Sequence, residues 1–170
     1  MNGKPPVEHG ICQRVVEVVE LAFASNGLAV EVHGNWLGEH DGTPKGVDST
    51  GAASKVFVTV SPRAYDSYSS CMAEIAVRLE AAIRADDDIT GDLAAVIYGR
   101  IVDVLQLWHA DFQAMKANLA LPGFAPRGLV LGRGGTWRQV EDPLGWEIAL
   151  DFTVAGTVAT PSTPTTTTNN

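Results

Sequence analysis

The chain has 170 residues, 45% of them hydrophobic, so it can bury a core of ordinary size as one domain without disulfides or a structural metal. The formal net charge of -8 argues against a protein that grips nucleic acid through its phosphates, because that binding mode needs clustered Lys and Arg. Cys12 and Cys71 form neither a CxxC pair nor a Cys/His cluster, so both are expected to be free thiols. No signal peptide or membrane-spanning run is recognisable, which predicts a soluble protein made in a reducing cytoplasm.

The first third of the chain predicts a helix, a strand and a long loop. From Val7 to about Ser25, apolar residues recur on one broad helical stripe, and Asn26-Gly27 then supplies a stop. Residues 28–33 alternate between apolar and polar types, which is typical of a half-buried strand. Residues 34–55 are rich in Gly, Asp, Thr and Ser and predict a long loop, in which Trp36 is a candidate anchor for a protein interface.

The middle of the chain contains the most informative pattern. A β-rich run at 56–60 stops at Ser61-Pro62, and a polar stretch that includes Tyr65 and Tyr68 follows. From Met72 to Asp86 the odd positions are apolar and the even positions mostly polar, which is period two and favours a long strand. A helix remains open as the alternative for this stretch, because three of its apolar residues also stack at a spacing of four.

A clear helix comes next. Thr90 is placed to cap its first turn, and the acidic run at 86–88 would lie near its positive end. An apolar face then continues to Trp108 at helical spacing. The acidic run could instead bind a divalent cation, but an acidic turn ahead of a helix explains it more simply.

The last third predicts strands and a tail. Residues 128–132 and 136–140 look like short strands around Gly134-Gly135, which predicts a hairpin turn with an exposed Arg133. Residues 146–154 alternate cleanly and predict a second amphipathic strand. We expect one domain over residues 1–155. The Thr/Pro-rich segment 156–170 is expected to be a flexible C-terminal tail, because it cannot bury enough apolar surface to fold alone.

Residues of catalytic type form no recognisable constellation. The four histidines have no metal-ligand spacing, although His33, His40 and Asp41 could meet through the long loop. The Gly-rich run at 132–136 lacks the ending of a phosphate-binding loop, and Ser69, Ser70 and Cys71 have no identifiable base. The sequence therefore predicts no catalytic, metal or cofactor site.

The order of elements resembles a family of virion proteins. Helix, strand, long loop, strand, the alternating 74–84 strand, the 90–108 helix and the terminal strand 146–154 together resemble the tail terminator, or tail-completion, proteins of long-tailed bacteriophages. The resemblance covers about residues 7–155 and is one of pattern and length. It implies an α+β fold with two helices packed on one face of a mixed, mainly antiparallel β-sheet, with a long β-β loop.

The resemblance also implies a function in assembly. Six copies would form a ring on the head-proximal end of the tail tube, and the partners would be sister copies, the tube protein and a neck or head-completion protein. Genomic DNA would pass through the lumen without specific binding, and the protein would reside in the virion after assembly in the host cytoplasm. The resemblance implies the 34–55 loop and the sheet edges as contact surfaces, and it implies no catalytic residue or cofactor. From the sequence itself, Trp36, Tyr65, Tyr68 and Arg133 are the candidate interface residues.

Other functions stay open at the level of sequence. A different neck or tail component, such as a head-closure or tube protein, would share these features. A small α+β ligand-binding domain or enzyme that uses the 33–41 loop would require His33, His40 or Asp41 to converge with another titratable group. A host-directed regulatory protein is a third alternative, for which no residue names a target.

Overall fold

The computed structural model describes residues 6–28, 30–35, 55–61, 64–66, 69–84, 88, 90–132, 136–141 and 144–159. The elements, in chain order, are α1 (Val7–Ala24), β1 (Glu31–Asn35), β2 (Lys55–Val60), β3 (Ala64–Asp66), β4 (Ser69–Arg84), α2 (Asp92–Ala110), α3 (Phe112–Leu119), β5 (Phe124–Leu131), β6 (Thr136–Glu141) and β7 (Leu144–Val158). The predicted strand over 72–86 is confirmed, and the helical alternative for it is wrong.

The strands form one open, mixed sheet in the order β1-β2-β4-β7-β5. β1 and β2 are parallel, and every other neighbouring pair is antiparallel. β4 and β7 are long central strands. β2 and β3 lie end to end along the outer side of β4, while β5 and β6 lie end to end along the outer side of β7. This confirms the predicted α+β class with a mixed, mainly antiparallel sheet.

The core lies between one face of the sheet and the helices. On β4 the odd residues from Ala73 to Ile83 are buried, and they pair across the sheet with buried even residues of β7 such as Phe152. α1 packs on β1 and β2, α3 on β5, and α2 on β5, β6 and β7. The Trp108 ring meets Phe152 edge to face, with 5.9 Å between ring centroids. The period of two in the sequence therefore marks the buried face of the sheet, as predicted.

The sequence analysis foresaw two helices, and the structure has a third. Asp111 accepts hydrogen bonds from the backbone N–H groups of Gln113 and Ala114, so it ends α2 and caps α3 within one residue. α3 buries Met115 and Leu119 and packs on β5. The predicted second helix ends at Trp108, and the sequence analysis assigns no element to residues 112–119.

The cap predicted at Thr90 is wrong, whereas the predicted place of the acidic run at the start of α2 is confirmed for Asp88. Gly91 is the N-cap residue, and the Thr90 hydroxyl donates to Asp92 Oδ2. The carboxylate of Asp88 accepts from the N–H groups of Leu93 and Ala94 at 3.2 and 2.8 Å. The Asp88 carboxylate thus caps α2 across Gly91, which has a left-handed backbone conformation. The sequence pattern assigned this role to the Thr90 hydroxyl.

The predicted hairpin around residues 134–135 is also wrong. β5 and β6 each pair with β7, and no pairing between β5 and β6 occurs among the described residues. β5 begins at Phe124 and contains Pro126, and the ladder shifts register between Pro126 and Gly128. An edge strand tolerates a proline at such a bulge because one of its sides needs no partner. The hairpin joins β6 to the next strand, β7.

Two further boundaries differ from expectation. The polar stretch after Pro62 contains β3, a strand of three residues that the sequence did not reveal. β7 continues to Val158, so the first residues of the predicted tail belong to the sheet. The remainder of the tail, residues 160–170, and most of the predicted 34–55 loop lie outside the described residues.

Candidate assembly surfaces

The sheet has a second face, here called the open face, that turns away from the helices. On β4 the even residues alternate with the core residues, and Glu74, Ala76 and Arg78 are exposed. Their neighbours on β7, which include Thr153 and Ala155, are partly exposed. All described helices lie on the opposite side, so the open face is a broad surface of one sheet that no described helix covers.

An ion network, here called the open-face network, crosses the centre of this face. Arg78 Nε donates to Glu80 Oε1 at 2.6 Å, and Arg78 Nη1 lies 3.4 Å from both carboxylate oxygens of Asp151 on β7. The hydrogen bond to Glu80 is the largest cause that raises the pKa of the Arg78 guanidinium above its ordinary value; burial opposes it, and the attraction of Glu80, Asp151 and Glu147 adds to it. The guanidinium is therefore charged at every pH at which the fold would be studied.

Beside this network the open face is flat and carries mainly small side chains. Ala76, Thr153 and Val130 lie in one row across β4, β7 and β5, and Ala155 and Gly128 lie in the next. Val130 is 67% exposed. Small side chains over three strands make a flat area, which is typical of a surface that lies against another macromolecule or borders a wide space rather than one that encloses a small ligand.

The two ends of the strand order form rims with different flanking helices. We call them the α1–β1 rim and the α3–β5 rim. No described strand pairs with the outer side of β1, and none pairs with the outer side of β5. An unpaired strand edge presents backbone N–H and C=O groups that can pair with another chain.

A cleft of about 380 Å³ lies beside β1, and its lining among the described residues comes from α1 and β1. Its lining residues are His9, Cys12, Gln13, Val16, Glu17 and Gly34. Gly34 is needed there, because a Cβ at this position would stand 2.8 Å from Cys12 Sγ. The Cys12 thiol is buried and donates to the Val58 carbonyl at 3.5 Å, so it is engaged with the backbone of β2.

Most of the predicted interface residues cannot be placed on these surfaces. Trp36, Tyr68 and Arg133 lie outside the described residues, and Tyr65 lies in β3, where only the course of its backbone is described. The residues that do define the rims and the open face, such as Arg78, Asp151 and Arg127, were not singled out from the sequence. Arg78 and Glu80 share a strand face in the sequence pattern, but the partnership with Asp151 depends on the register between two strands 73 residues apart.

The residues considered for chemistry do not gather in the described part of the chain. His33 Nε2 lies 3.0 Å from Glu31 Oε2 on the exposed side of β1, and the other two residues proposed to join it, His40 and Asp41, lie outside that part. No group of three or more potential metal ligands occurs among the described residues. Ser69, Ser70 and Cys71 begin β4, and the Cys71 side chain is exposed.

Among the described helices, none is long and apolar enough to cross a membrane. Comparison with models of protein families and with curated protein sequences finds no match to this chain. The surfaces described above are thus the available guide to its function.

Proposed function

We propose that this protein is a virion structural protein of the tail terminator type, which forms a ring of copies, six by the resemblance, at the head-proximal end of a phage tail tube and joins the tube to the neck. One observation carries the proposal: the sheet is covered by helices on one face only, and both of its rims lack a partner strand among the described residues. Such a subunit has surfaces left to join sister copies and a face left to border a lumen.

The charge of the chain is consistent with a channel for DNA. A net charge of -8 repels phosphates, so DNA that crosses the ring would not be held. On the open face, Glu74, Glu147 and Asp151 outnumber the cations Arg78 and Arg127 among the described side chains. An acidic, low-relief sheet face suits the wall of such a passage.

The proposal is tested by the assembly state of the full chain. Native mass spectrometry and negative-stain imaging of the purified protein are expected to show closed rings of one copy number. A protein that stays monomeric at high concentration and is also missing from purified virions would contradict the proposal. The neighbouring alternatives, a head-closure or a tube protein, are separated by position: labelled antibody against this chain should mark the junction of tail and neck, and not the length of the tube.

A further inference from the structure

We propose that copies of this chain join head to tail, the α1–β1 rim of one copy against the α3–β5 rim of the next, with β1 pairing antiparallel to residues 128–131 of β5. The inference rests on the proposed ring and names the surfaces that build it. It follows from three observations on the rims: the direction of the strands, the strand edges that no described strand pairs with, and the charges that flank them.

The direction of the strands permits a continuous sheet. β1 is parallel to β2, and the next three steps across the sheet are each antiparallel, so β5 runs opposite to β1. When neighbouring copies keep their helices on the same side, β1 of one copy meets β5 of the next in antiparallel orientation. Antiparallel pairing is the slightly more stable kind, and a sheet that closes on itself through such pairs has no exposed edges.

The free part of the β5 edge is short and well defined. At its start, Phe124 already exchanges backbone hydrogen bonds with Leu121, and Pro126 has no N–H to offer. Further along, the N–H of Gly132 points to Asp151 of β7, so the alternation of a strand turns the backbone groups of Leu129 and Leu131 outward. Residues 128–131 therefore offer four positions to the five residues of β1.

The side-chain pattern continues across such a junction. Val30 and Val32 on one rim and Leu129 on the other face the helix side of the sheet, and they are the least buried aliphatic residues of the core, at 8%, 8% and 9% exposure. Placing the two edges side by side would complete the burial of these side chains. The cleft between α1 and β1 lies on the same side of β1 and offers room for an apolar side chain of the neighbouring copy.

The charges of the two rims are opposite. The α3–β5 segment, residues 112–131, contains Lys116 and Arg127 and no Asp or Glu. Both cations are exposed, and Arg127 Nε donates to Thr157 Oγ1. The α1–β1 rim exposes three carboxylates against one guanidinium. They are Glu17, Glu20 and Glu31, with Arg14 paired to Glu17.

The opposite charges of the two rims favour a head-to-tail contact over a two-fold contact. A two-fold contact would bring the α1–β1 rim against itself, which places like charges together, whereas a head-to-tail contact brings opposite charges together. Head-to-tail contacts generate rings when the rotation between copies closes. The α1–β1 rim of one copy thus binds the α3–β5 rim of a second copy.

The test uses charge reversal on each rim of the full chain. Glu20→Lys with Glu31→Lys makes the first rim basic, and Lys116→Glu with Arg127→Glu makes the second rim acidic. Each double variant is expected to raise the concentration at which half of the chains assemble by about tenfold at low salt, because two pairs of exposed charges become repulsive in each contact. In 1 M salt, where the screening length is about 3 Å, this difference should largely vanish.

Combining the two double variants distinguishes a loss of the contact from a loss of the fold. The chain that carries all four reversals again has complementary rims and is expected to assemble as the original does, as should an equimolar mixture of the two double variants. The matched control is Glu74→Lys with Asp103→Lys, which changes the net charge by as much as the first double variant but lies on the open face and on α2. It should assemble normally.

Amide hydrogen exchange reports directly on backbone pairing between the rims, which the charge of the rims alone does not produce. The amides of β1 that point away from β2, and those of Leu129 and Leu131, should exchange more slowly in rings than in monomers. If the original chain never forms rings, the proposed function fails and this inference fails with it. If rings form but the rim variants assemble at unchanged concentrations, or these amides gain no protection, only the head-to-tail contact is overturned. Assembly lost in the control alone would place the contact on the open face or on α2 and would overturn the head-to-tail contact too.

Discussion

The start of α2 offers a sharp test, because the sequence pattern and the structure assign its cap to different residues. In the structure, the Asp88 side chain is 6% exposed and accepts from the N–H groups of Leu93 and Ala94. The Thr90 hydroxyl instead donates to a neighbouring side chain and caps no N–H group. We therefore predict that Asp88→Ala destabilises the fold strongly and that Thr90→Ala does not.

The magnitude follows from the bonds that the substitution removes. Losing an N-cap side chain costs about 1 kcal/mol, and the loss of a carboxylate near the positive end of a helix adds about 0.3–1 kcal/mol. Asp88 caps two N–H groups from a buried position, so we expect Asp88→Ala to lower the free energy of unfolding by about 2–3 kcal/mol. Asp88→Asn keeps an acceptor oxygen and loses the charge, and it should cost about half as much. Thr90→Ala should stay within about 0.5 kcal/mol.

The measurement is urea unfolding followed by the fluorescence of the tryptophans, at one pH and at a protein concentration below that of any assembly. For a chain of this size, the expected loss for Asp88→Ala corresponds to a fall in melting temperature of about 5–10 °C. The Trp146 Nε1–H donates to the backbone carbonyl of Asp88, and this bond should survive the substitution. The reasoning is refuted if Thr90→Ala costs as much as Asp88→Ala, or if the Leu93 and Ala94 amides remain equally protected from exchange without the carboxylate.

Two further pairs of variants test the local geometry. Gly91 has a φ of 79°, and a Cβ there would stand 2.7 Å from the ring of Trp146; Gly91→Ala should therefore cost about 2–4 kcal/mol by thermal unfolding. Gly99, in the middle of α2, has open space at its Cβ, so Gly99→Ala should raise stability by about 0.5–1 kcal/mol, and a loss there would contradict the described packing. Arg78→Met removes the cation of the open-face network and should cost about 1 kcal/mol after allowance for the 47% exposure of Arg78. Arg100→Met breaks only an exposed pair on α2 and should cost less than about 0.5 kcal/mol; equal losses would show that the network has no special weight.

The contribution of Arg78 to stability depends on pH with a definite sign. A cation whose pKa is raised in the folded state contributes stability that is fully present below its ordinary pKa and is lost only as the pH rises through the raised value. Arginine titrates far above neutral pH, so the contribution of Arg78 should be constant across the usual range of pH. A difference between Arg78→Met and the original chain that disappears near neutral pH would contradict this account.

The sequence by itself determined those elements whose pattern repeats over many residues. The alternation from Met72 onward and from Trp146 onward sets which side of each long strand is buried, because a period of two has one solution on a sheet that is covered on one face. The stripe of α1 and the apolar face of α2 were equally readable, since burial of one helical face requires the 3.6-residue repeat. The absence of Asp and Glu from residues 112–131 was also visible in the sequence. Only the structure shows that this segment forms one rim of the sheet.

The tertiary structure alone decided which strands are neighbours and which short signals are used. Gly134-Gly135 is a fair turn signal, yet β5 and β6 both pair with β7, because a strand of 15 residues can accept two short partners end to end. Asp88 caps α2 across Gly91, and Arg78 meets Asp151 through the register of two distant strands. Pairing, capping and ion contacts depend on distances between segments far apart in the chain, and a local pattern of residue types does not contain those distances.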